Sequence, residues 1–253
     1  MAIISVPYHL DEYLPDLNIP LPPGRDVTTV AVALPDGDTW TRLGRLYESV
    51  AEAVAQVVRK GQVPTVVSGD CTASLGTVAG LQQAEVDASV VWFDAHGDVQ
   101  TLETTASGYL GGMPLRILVG YRPDLISERL GLRLVPENRV VLVDGRDLDP
   151  PEADYLATSE IRRCGVDEVS ADVLPPGPLL LHMDLDVIDS AELAGLRYPA
   201  PAGPTTSSVL DAARRVFATG RVVAVDIGCT WHPGHDDADG LRSRLLSALA
   251  AEG

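Results

Sequence analysis

Basic residues are scarce in this sequence. The 253 residues include 19 Lys and Arg against 36 Asp and Glu, which gives a formal net charge of −17. Nucleic acids and anionic membranes attract basic surfaces, so this balance argues against both as partners. The surplus of acids suits cation binding, although most of these carboxylates must lie on the solvated surface.

Cysteines and long apolar runs are scarce as well. Cys71, Cys164 and Cys229 lie far apart and are odd in number, and they show neither a disulfide framework nor zinc-finger spacing. No run of 18 apolar residues is present, so no membrane span is expected. The first residues lack the basic region and the long apolar core of a signal peptide. We therefore expect a cytoplasmic protein.

The sequence does contain an alternation of short apolar runs and helical patterns. The runs predict seven strands, at residues 2–6, 28–34, 64–67, 89–93, 139–143, 179–183 and 222–225. Helical spacing between them predicts helices that include 43–58, 152–163, 208–218 and about 240–250, with one ending near 81 and one starting at 114. Asp38 or Thr39 is a candidate cap for the first helix, and Thr72 for the helix that ends near 81.

This alternation runs over nearly the whole chain, and no Pro/Gly/Ser linker or internal repeat divides it. We predict a single domain over residues 1–253, with three α/β/α layers and a mostly parallel, doubly wound sheet. Ligands of such folds bind at the carboxyl ends of the strands. Several apolar runs of this chain end in Asp, His or Cys on that edge.

The stretch after the fourth predicted strand combines three ionisable side chains. Asp94, His96 and Asp98 follow the apolar run 90–93 at alternate positions. Just past a strand end, that spacing can turn all three side chains toward one point. Carboxylate and imidazole ligands suit a divalent metal such as Mn²⁺. The alternative is a polar turn after a core strand.

Other residues at predicted strand ends extend this pattern. Asp184 and Asp186 follow the sixth strand, and Cys71 lies at a strand-to-helix junction, where it could also be a small buried residue. Four carboxylates packed together without a cation would repel, and one or more would take up a proton. Two divalent cations would resolve this, because carboxylates could bridge them and a shared water would become acidic.

Five segments of the chain resemble the arginase (ureohydrolase) family, in the family's order, within residues 63–230. Residues 68–72 (Ser-Gly-Asp-Cys-Thr) resemble Gly-Gly-Asp-His-Ser, and residues 94–98 match Asp-Ala-His-x-Asp. Residues 107–114 (Ser-Gly-Tyr-Leu-Gly-Gly-Met-Pro) resemble Ser-Gly-x-x-His-Gly-x-Pro, and 146–152 match Arg-Asp-x-Asp-Pro-x-Glu. Residues 184–190 resemble Asp-x-Asp-x-x-Asp-Pro, although Ser190 replaces the proline.

The resemblance implies an amidinohydrolase that cleaves the guanidino carbon–nitrogen bond of an arginine-like amino acid. It implies two Mn²⁺ ions per chain, one held by Cys71, Asp94, Asp98 and Asp184, the other by Asp94, His96, Asp184 and Asp186. A hydroxide bridging the ions would attack the guanidino carbon, and Asp98 would carry its proton toward the leaving amine. The residues that match substrate contacts of the family are Gln100, Ser107, Asp149, Glu152 and Cys229.

Three positions depart from the family pattern. Cys71 stands where the family has a histidine ligand, Gly111 where arginases have a proton-shuttling histidine, and Cys229 where they have a glutamate that pairs with the guanidinium. These departures resemble the cysteine-ligated Nω-hydroxy-L-arginine amidinohydrolase branch of D-cycloserine biosynthesis, which releases ornithine and hydroxyurea. An N-hydroxyguanidine is less basic than a guanidine, so it needs less from a carboxylate at position 229.

Other interpretations remain open at this stage. The chain could be an arginase or another ureohydrolase with a different guanidino substrate, or a non-catalytic metal-binding relative. The lost histidine and glutamate favour the last, whereas Asp98 and the amino-acid-binding acids favour catalysis. The chain ends soon after its last predicted helix. We therefore expect a monomer or a homo-oligomer, with a small guanidino amino acid as partner.

Four further side chains have alternative interpretations. His182 is either a packed core histidine or a support for a ligand. His232 and His235 are expected at the surface, although either could replace the missing shuttle. Tyr198 is a candidate for the cavity wall.

Overall fold

The computed structural model describes residues 2–234 and 240–251. His235 lies outside these residues. The strands of the described chain are β1 Ala2–Val6, β2 Tyr8–His9, β3 Glu12–Tyr13, β4 Val27–Thr29, β5 Pro64–Ser68, β6 Ser89–Asp94, β7 Val140–Asp144, β8 Arg162–Cys164, β9 Leu179–Asp184 and β10 Val222–Gly228. The α-helices are α1 Thr39–Arg59, α2 Ser74–Gln83, α3 Pro114–Leu118, α4 Ser127–Leu130, α5 Pro150–Thr158, α6 Thr206–Phe217 and α7 Leu241–Ala251. None of the helices in these ranges is long and apolar enough to cross a membrane.

Eight of the strands form one parallel sheet in the order β4-β1-β5-β10-β9-β6-β7-β8. Buried residues of α1 to α5 pack on one face, and buried residues of α6 and α7 pack on the other. Both faces of the central strands are therefore covered, which explains their continuous apolar runs. This architecture confirms the predicted three-layer fold with a mostly parallel sheet.

Helices α1 and α2 pack closely because α2 presents glycines to α1. Asp38 caps α1, since its carboxylate accepts a hydrogen bond from the Thr41 N–H at 2.8 Å. On α2, a Cβ at Gly80 would lie 2.6 Å from the carbonyl oxygen of Ala51. Glycine at this position thus allows the two backbones to approach each other.

The structure differs from the sequence prediction at the edges of the sheet. The second predicted strand, 28–34, corresponds to β4, which covers only Val27–Thr29. Beyond Thr29 the chain leaves the sheet. The N–H and C=O of Val32 instead bond to the Tyr8 hydroxyl. The predicted helix 152–163 ends at Thr158, and Arg162–Cys164 pairs with β7 as an edge strand. Between the first two predicted strands, where no strand is predicted, the chain also forms the β2–β3 hairpin.

The predicted Thr72 cap is wrong as well. Asp70 caps the 3₁₀ turn Cys71–Ala73, and its carboxylate accepts from the Thr72 N–H at 2.8 Å. The Thr72 hydroxyl donates to the same carboxylate. Asp70 therefore fixes the turn that carries Cys71 into α2.

Candidate active site

The order of the central strands brings together residues that are far apart in the sequence. Strands β5, β10, β9 and β6 are neighbours and parallel, so their carboxyl ends meet at one edge. Cys71 follows β5, Asp184 ends β9, and Asp94 ends β6. A cavity of about 140 Å³ opens at this edge. It is lined by Cys71, His96, Asp98, Gln100, Thr105, Ser107, Tyr109, Gly111, Gly112, Asp149, Glu152, Asp184, Asp186, Tyr198 and Thr230.

Five of the six predicted metal ligands each contact another ligand of the set at this edge of the sheet, and the sixth, Asp98, lines the cavity beside them. His96 Nδ1 lies 3.4 Å from Asp94 Oδ1 and 3.1 Å from Asp186 Oδ2. The Cys71 thiol donates to Asp184 Oδ2 at 2.9 Å. Asp94 is almost fully buried, and the indole N–H of Trp92 donates to its Oδ2 at 3.1 Å.

The electrostatics of the cluster follow from its burial. Burial and the charges of neighbouring carboxylates raise the pKa of Asp98 and of Asp184 well above the usual range, and they raise the pKa of Asp186 to about 7. Burial opposes a charged His96, but the hydrogen bonds and charges of Asp186 and Asp94 raise its pKa to about 12. Burial also acts against an ionised Asp94, but the hydrogen bonds and charge of His96 lower the pKa of that carboxyl. In the absence of a cation, these raised pKa values therefore favour protons on the side chains of this site, so the site attracts positive charge.

Unpaired polar atoms indicate where positive charge fits. Within the described residues, Asp98 Oδ2 and His182 Nε2 are buried and have no hydrogen-bond partner. Two groups of side chains each bring potential ligand atoms within 4.8 Å of one another, namely Cys71, Asp94 and His182, and Asp94, His96 and Asp186. Both groups contain Asp94. The donor set of carboxylate oxygens, imidazole nitrogens and a thiol sulfur fits two divalent cations that share this carboxylate.

His182 lies on β9 beneath the acid cluster and is fully buried. Its Nδ1 lies 3.1 Å from Asp226 Oδ1, and its ring stacks on Trp92 with centroids 3.5 Å apart. It is thus packed in the core, which is one of its two predicted placements, while Nε2 has no partner among the described atoms. A carboxylate behind a histidine is the arrangement that orients imidazole ligands in metal sites. The alternation of His182 and Asp184 on one strand is the sequence signal for this placement.

Four of the five residues predicted to contact the substrate line the same cavity, namely Gln100, Ser107, Asp149 and Glu152. The Gln100 side-chain amide donates to Asp149 Oδ2 at 2.8 Å, and its oxygen accepts from the Thr104 hydroxyl at 2.7 Å. The two carboxylate oxygens of Glu152 accept from the N–H groups of Val99 and Asp149, at 3.2 and 3.1 Å. Glu152 therefore also ties the loop after His96 to the start of α5.

Among the predicted site residues, Asp94 and Cys229 are not part of the cavity wall. Cys229 is fully buried in the apolar core, and its N–H donates to the Ser68 carbonyl at 2.7 Å. The next residue, Thr230, lines the cavity instead and donates to Asp184 Oδ1 at 2.8 Å. The residue that faces the cavity at this strand end is therefore Thr230 and not the predicted Cys229. Among the described residues, His232, a candidate for the missing proton shuttle, does not line the cavity either.

Sequence reasoning missed Tyr109, on the aromatic side of the cavity, and its contact with His9. Tyr109 lines the cavity, and its ring stacks on His9 with centroids 5.7 Å apart. Tyr198, a predicted wall residue, does line the cavity, and its ring lies 4.7 Å from that of Tyr109. His9 is 100 residues from Tyr109 in the sequence, so no local pattern could connect the two.

Fold and site together define an α/β protein with a parallel sheet and a candidate binuclear metal site at its carboxyl edge. The model of the Arginase family matches residues 13–252. The chain belongs to the arginase family.

Similar proteins support this membership. An arginase from Bacillus caldovelox is 33% identical over 173 residues, which is 62% of this chain and 58% of that protein. An arginase from Bacillus subtilis is 33% identical over 170 residues, or 62% of this chain and 57% of its own length. The chain thus aligns with less than two thirds of these curated relatives. The solved arginase structure from Bacillus caldovelox has the same fold, with a TM-score of 0.82 at 24% identity, over 99% of this chain and 96% of that one.

Proposed function

We propose that this chain hydrolyses the guanidino carbon–nitrogen bond of an arginine-like amino acid. Its preferred substrate is Nω-hydroxy-L-arginine, and the products are ornithine and hydroxyurea. The observation that carries the proposal is a single cavity lined both by the acid cluster and by Gln100, Ser107 and Asp149. Such a cavity can hold the two ends of one amino acid at the same time.

The proposal includes two Mn²⁺ ions per chain. Cys71, Asp94, Asp98 and Asp184 would hold one ion, and Asp94, His96, Asp184 and Asp186 the other. When bound, the ions would neutralise the acid cluster and make a shared water acidic near neutral pH. The unpaired Oδ2 of Asp98 is then available to take a proton from the reacting water and pass it to the departing nitrogen.

The polar residues of the cavity suit the amino-acid end of the substrate. The Gln100 amide has two N–H donors, and Asp149 uses one of them. The second donor can bind the α-carboxylate, together with the Ser107 hydroxyl. Asp149 can receive the α-amino group. Glu152 would hold this arrangement in place through the two backbone N–H groups that it binds.

The preference for the hydroxylated substrate follows from two positions of the cavity wall, Thr230 and Gly111. Thr230 offers a neutral hydroxyl that is already bonded to Asp184, and Gly111 offers no side chain. L-Arginine enters as a full cation and needs a carboxylate partner for its guanidinium. The N-hydroxyguanidine is less basic, so it loses less from that missing partner.

A substrate panel tests the proposal. We expect kcat/KM for Nω-hydroxy-L-arginine to exceed that for L-arginine at neutral pH with Mn²⁺ present. Agmatine should be poor, because it lacks the carboxylate that Gln100 and Ser107 would bind. Equal turnover of L-arginine would contradict the substrate assignment, and no turnover of any guanidino compound by the metal-loaded protein would identify a non-catalytic relative.

A further inference from the structure

The cavity wall beside Gly111 has an unexpected occupant. A Cβ built on Gly111 would fall among Cζ, Cε1 and Oη of Tyr109. The hydroxyl end of this phenol therefore fills the space that a side chain at position 111 would take. Tyr109 lines the same cavity as Asp98 and Cys71, so its hydroxyl lies at the wall of the proposed reaction site.

A buried histidine stands behind this hydroxyl. His9 Nε2 lies 3.5 Å from Tyr109 Oη, and His9 Nδ1 lies 3.1 Å from the carbonyl oxygen of Gly69. A carbonyl only accepts hydrogen bonds, so Nδ1 must carry a proton. In the neutral ring, Nε2 is then an acceptor, and the Tyr109 hydroxyl donates to it.

The position of His9 is fixed by the same turn that carries Cys71. The Gly69 N–H donates to the Tyr8 carbonyl at 2.9 Å, and the Leu10 N–H donates to Asp70 Oδ2 at 2.5 Å. These bonds hold the backbone on both sides of His9. The ring therefore faces Tyr109 in a set orientation, which favours a specific function over simple filling of space.

The reaction leaves a proton that needs a carrier. Hydrolysis forms a bond from the water oxygen to the guanidino carbon, and the electron pair of the broken bond stays on the departing nitrogen. Both protons of the water end on nitrogens of the two products. Asp98 can carry one of them. In an arginase the second would have a histidine at position 111 available, and this chain has none.

We propose that Tyr109 and His9 carry the second proton. Tyr109 Oη accepts the proton while its own proton passes to His9 Nε2, and the reverse shift later delivers it to a substrate nitrogen. The pair returns to its starting state, so no further reactant is needed. This inference rests on the proposed hydrolase function.

The surroundings of Tyr109 suit such a concerted shift. Burial, followed by the charges of nearby acids, raises the pKa of Tyr109 well above the usual range. The phenol therefore stays neutral and can accept a proton only as it gives one up. A paired histidine makes that exchange possible.

Two variants and their combination test the pair. Tyr109→Phe keeps the ring and removes the hydroxyl, and His9→Asn keeps a donor for the Gly69 carbonyl and removes Nε2. We expect each to lower kcat for Nω-hydroxy-L-arginine by about 10²–10⁴-fold, as for the loss of general acid–base help. The double variant should be no slower than the slower single variant, because the two residues act as a unit. Binding of L-ornithine, measured by calorimetry, should change less than threefold.

A control variant and the wild type make the outcomes distinct. Tyr121→Phe removes a hydroxyl that donates to Glu103 outside the cavity and should leave kcat unchanged. Active wild type with Tyr109→Phe or His9→Asn within threefold of its kcat would overturn the relay, and so would multiplicative losses in the double variant. Loss of ornithine binding in step with kcat would instead mark Tyr109 as a wall residue. An inactive wild type would overturn the proposed function and the relay with it.

Discussion

The protonation state of the Cys71 side chain depends on the groups beside it. Burial, followed by the charges of Asp184, Asp98 and Asp94, raises the pKa of Cys71 well above the usual range. Without a cation this residue is therefore a thiol, which donates its proton to Asp184. A bound cation would displace that proton, because thiolates and not thiols are metal ligands.

We expect Cys71→Ser to weaken the binding of one of the two metal ions far more than that of the other, and to leave the fold intact. The hydroxyl is a poorer anionic ligand than the thiolate, and only one ion contacts this position in the proposal. Metal content per chain after dialysis against graded chelator measures the effect. Cys164→Ser is the control, because Cys164 lies on the edge strand β8. Unchanged retention of both ions would make Cys71 a packing residue. Because the thiolate is soft, Zn²⁺ and Co²⁺ should compete with Mn²⁺ better in the wild type than in Cys71→His.

Asp184 should matter to both ions. We expect Asp184→Ala to remove both metals and all hydrolysis, since its carboxylate contacts the Cys71 thiol and the Asp186 N–H, and in the proposal these two residues hold different ions. Elemental analysis of the purified variant in Mn²⁺ buffer gives the answer. Retention of one full equivalent would show that Asp184 does not bridge. A circular dichroism spectrum like that of the wild type would establish that the fold survives.

Among the elements, most central strands could be predicted from the sequence and the edge strands could not, although the central strand β10 continues to Gly228, beyond the predicted end at residue 225. Strands β5, β6 and β9 are buried on both faces, so their apolar runs give their position within a residue or so. Strand β8 is largely exposed and consists of Arg162–Cys164. Its conformation depends on pairing with β7, which no local pattern records.

The same reasoning explains which site residues could be predicted. Asp94 and Asp184 end buried strands, so the topology alone brings them to one edge. Whether Cys229 or Thr230 faces the cavity depends on how the chain leaves β10. A shift of one residue reverses the side to which each side chain points. His9 contacts Tyr109 only because the β2 segment bonds to the turn after β5. Such long-range contacts leave no spacing in the sequence.

The contact between α1 and α2 predicts a contrast between two glycines. In Gly80→Ala, the new methyl group would lie 2.6 Å from the Ala51 carbonyl oxygen, a backbone atom that cannot move away alone. We expect a loss of about 1–3 kcal/mol in the free energy of unfolding, as for overpacked cores. In Gly44→Ala the methyl group would meet the flexible side chain of Arg129 at 2.5 Å. That variant should be neutral or gain stability, because alanine favours the helix by up to about 1 kcal/mol over glycine. Urea denaturation measures both, and equal losses would contradict the packing argument.

At the scale of the whole molecule, stability should depend on pH through the acid cluster. The pKa of Asp186 is raised from 3.8 to about 7 in the folded chain. Between these values the folded chain holds a proton that the unfolded chain has lost, so the stability of metal-free protein falls as pH rises. The raised pKa values of Asp98 and Asp184 act in the same direction. His96, raised from 6.5 to about 12, extends the fall above pH 6.5.

Bound cations should reverse this trend. We expect Mn²⁺ to raise the melting temperature of chelator-treated protein more at pH 8 than at pH 5, because the ions replace protons that are lost at the higher pH. Ligands that bind only the folded state stabilise it by mass action. Calorimetry at both pH values makes the comparison, with Asp186→Asn expected to flatten the pH dependence of the metal-free form. An equal shift at both values would show that the cluster does not bind cations in place of protons.

The overlap of Tyr109 with the space beside Gly111 also restricts how such a site can change by single substitutions. A histidine introduced at position 111 would meet the phenol ring, so Gly111→His alone should damage the cavity without supplying a proton carrier. Tyr109→Ala alone would clear the space but remove the hydroxyl that His9 contacts. With the proposed relay, each first step would therefore lose function, and only both together could gain it. Evolution from the arrangement with Tyr109 and Gly111 to one with a histidine at position 111 would thus have to cross a fitness valley, in which each single variant is less active than either end point.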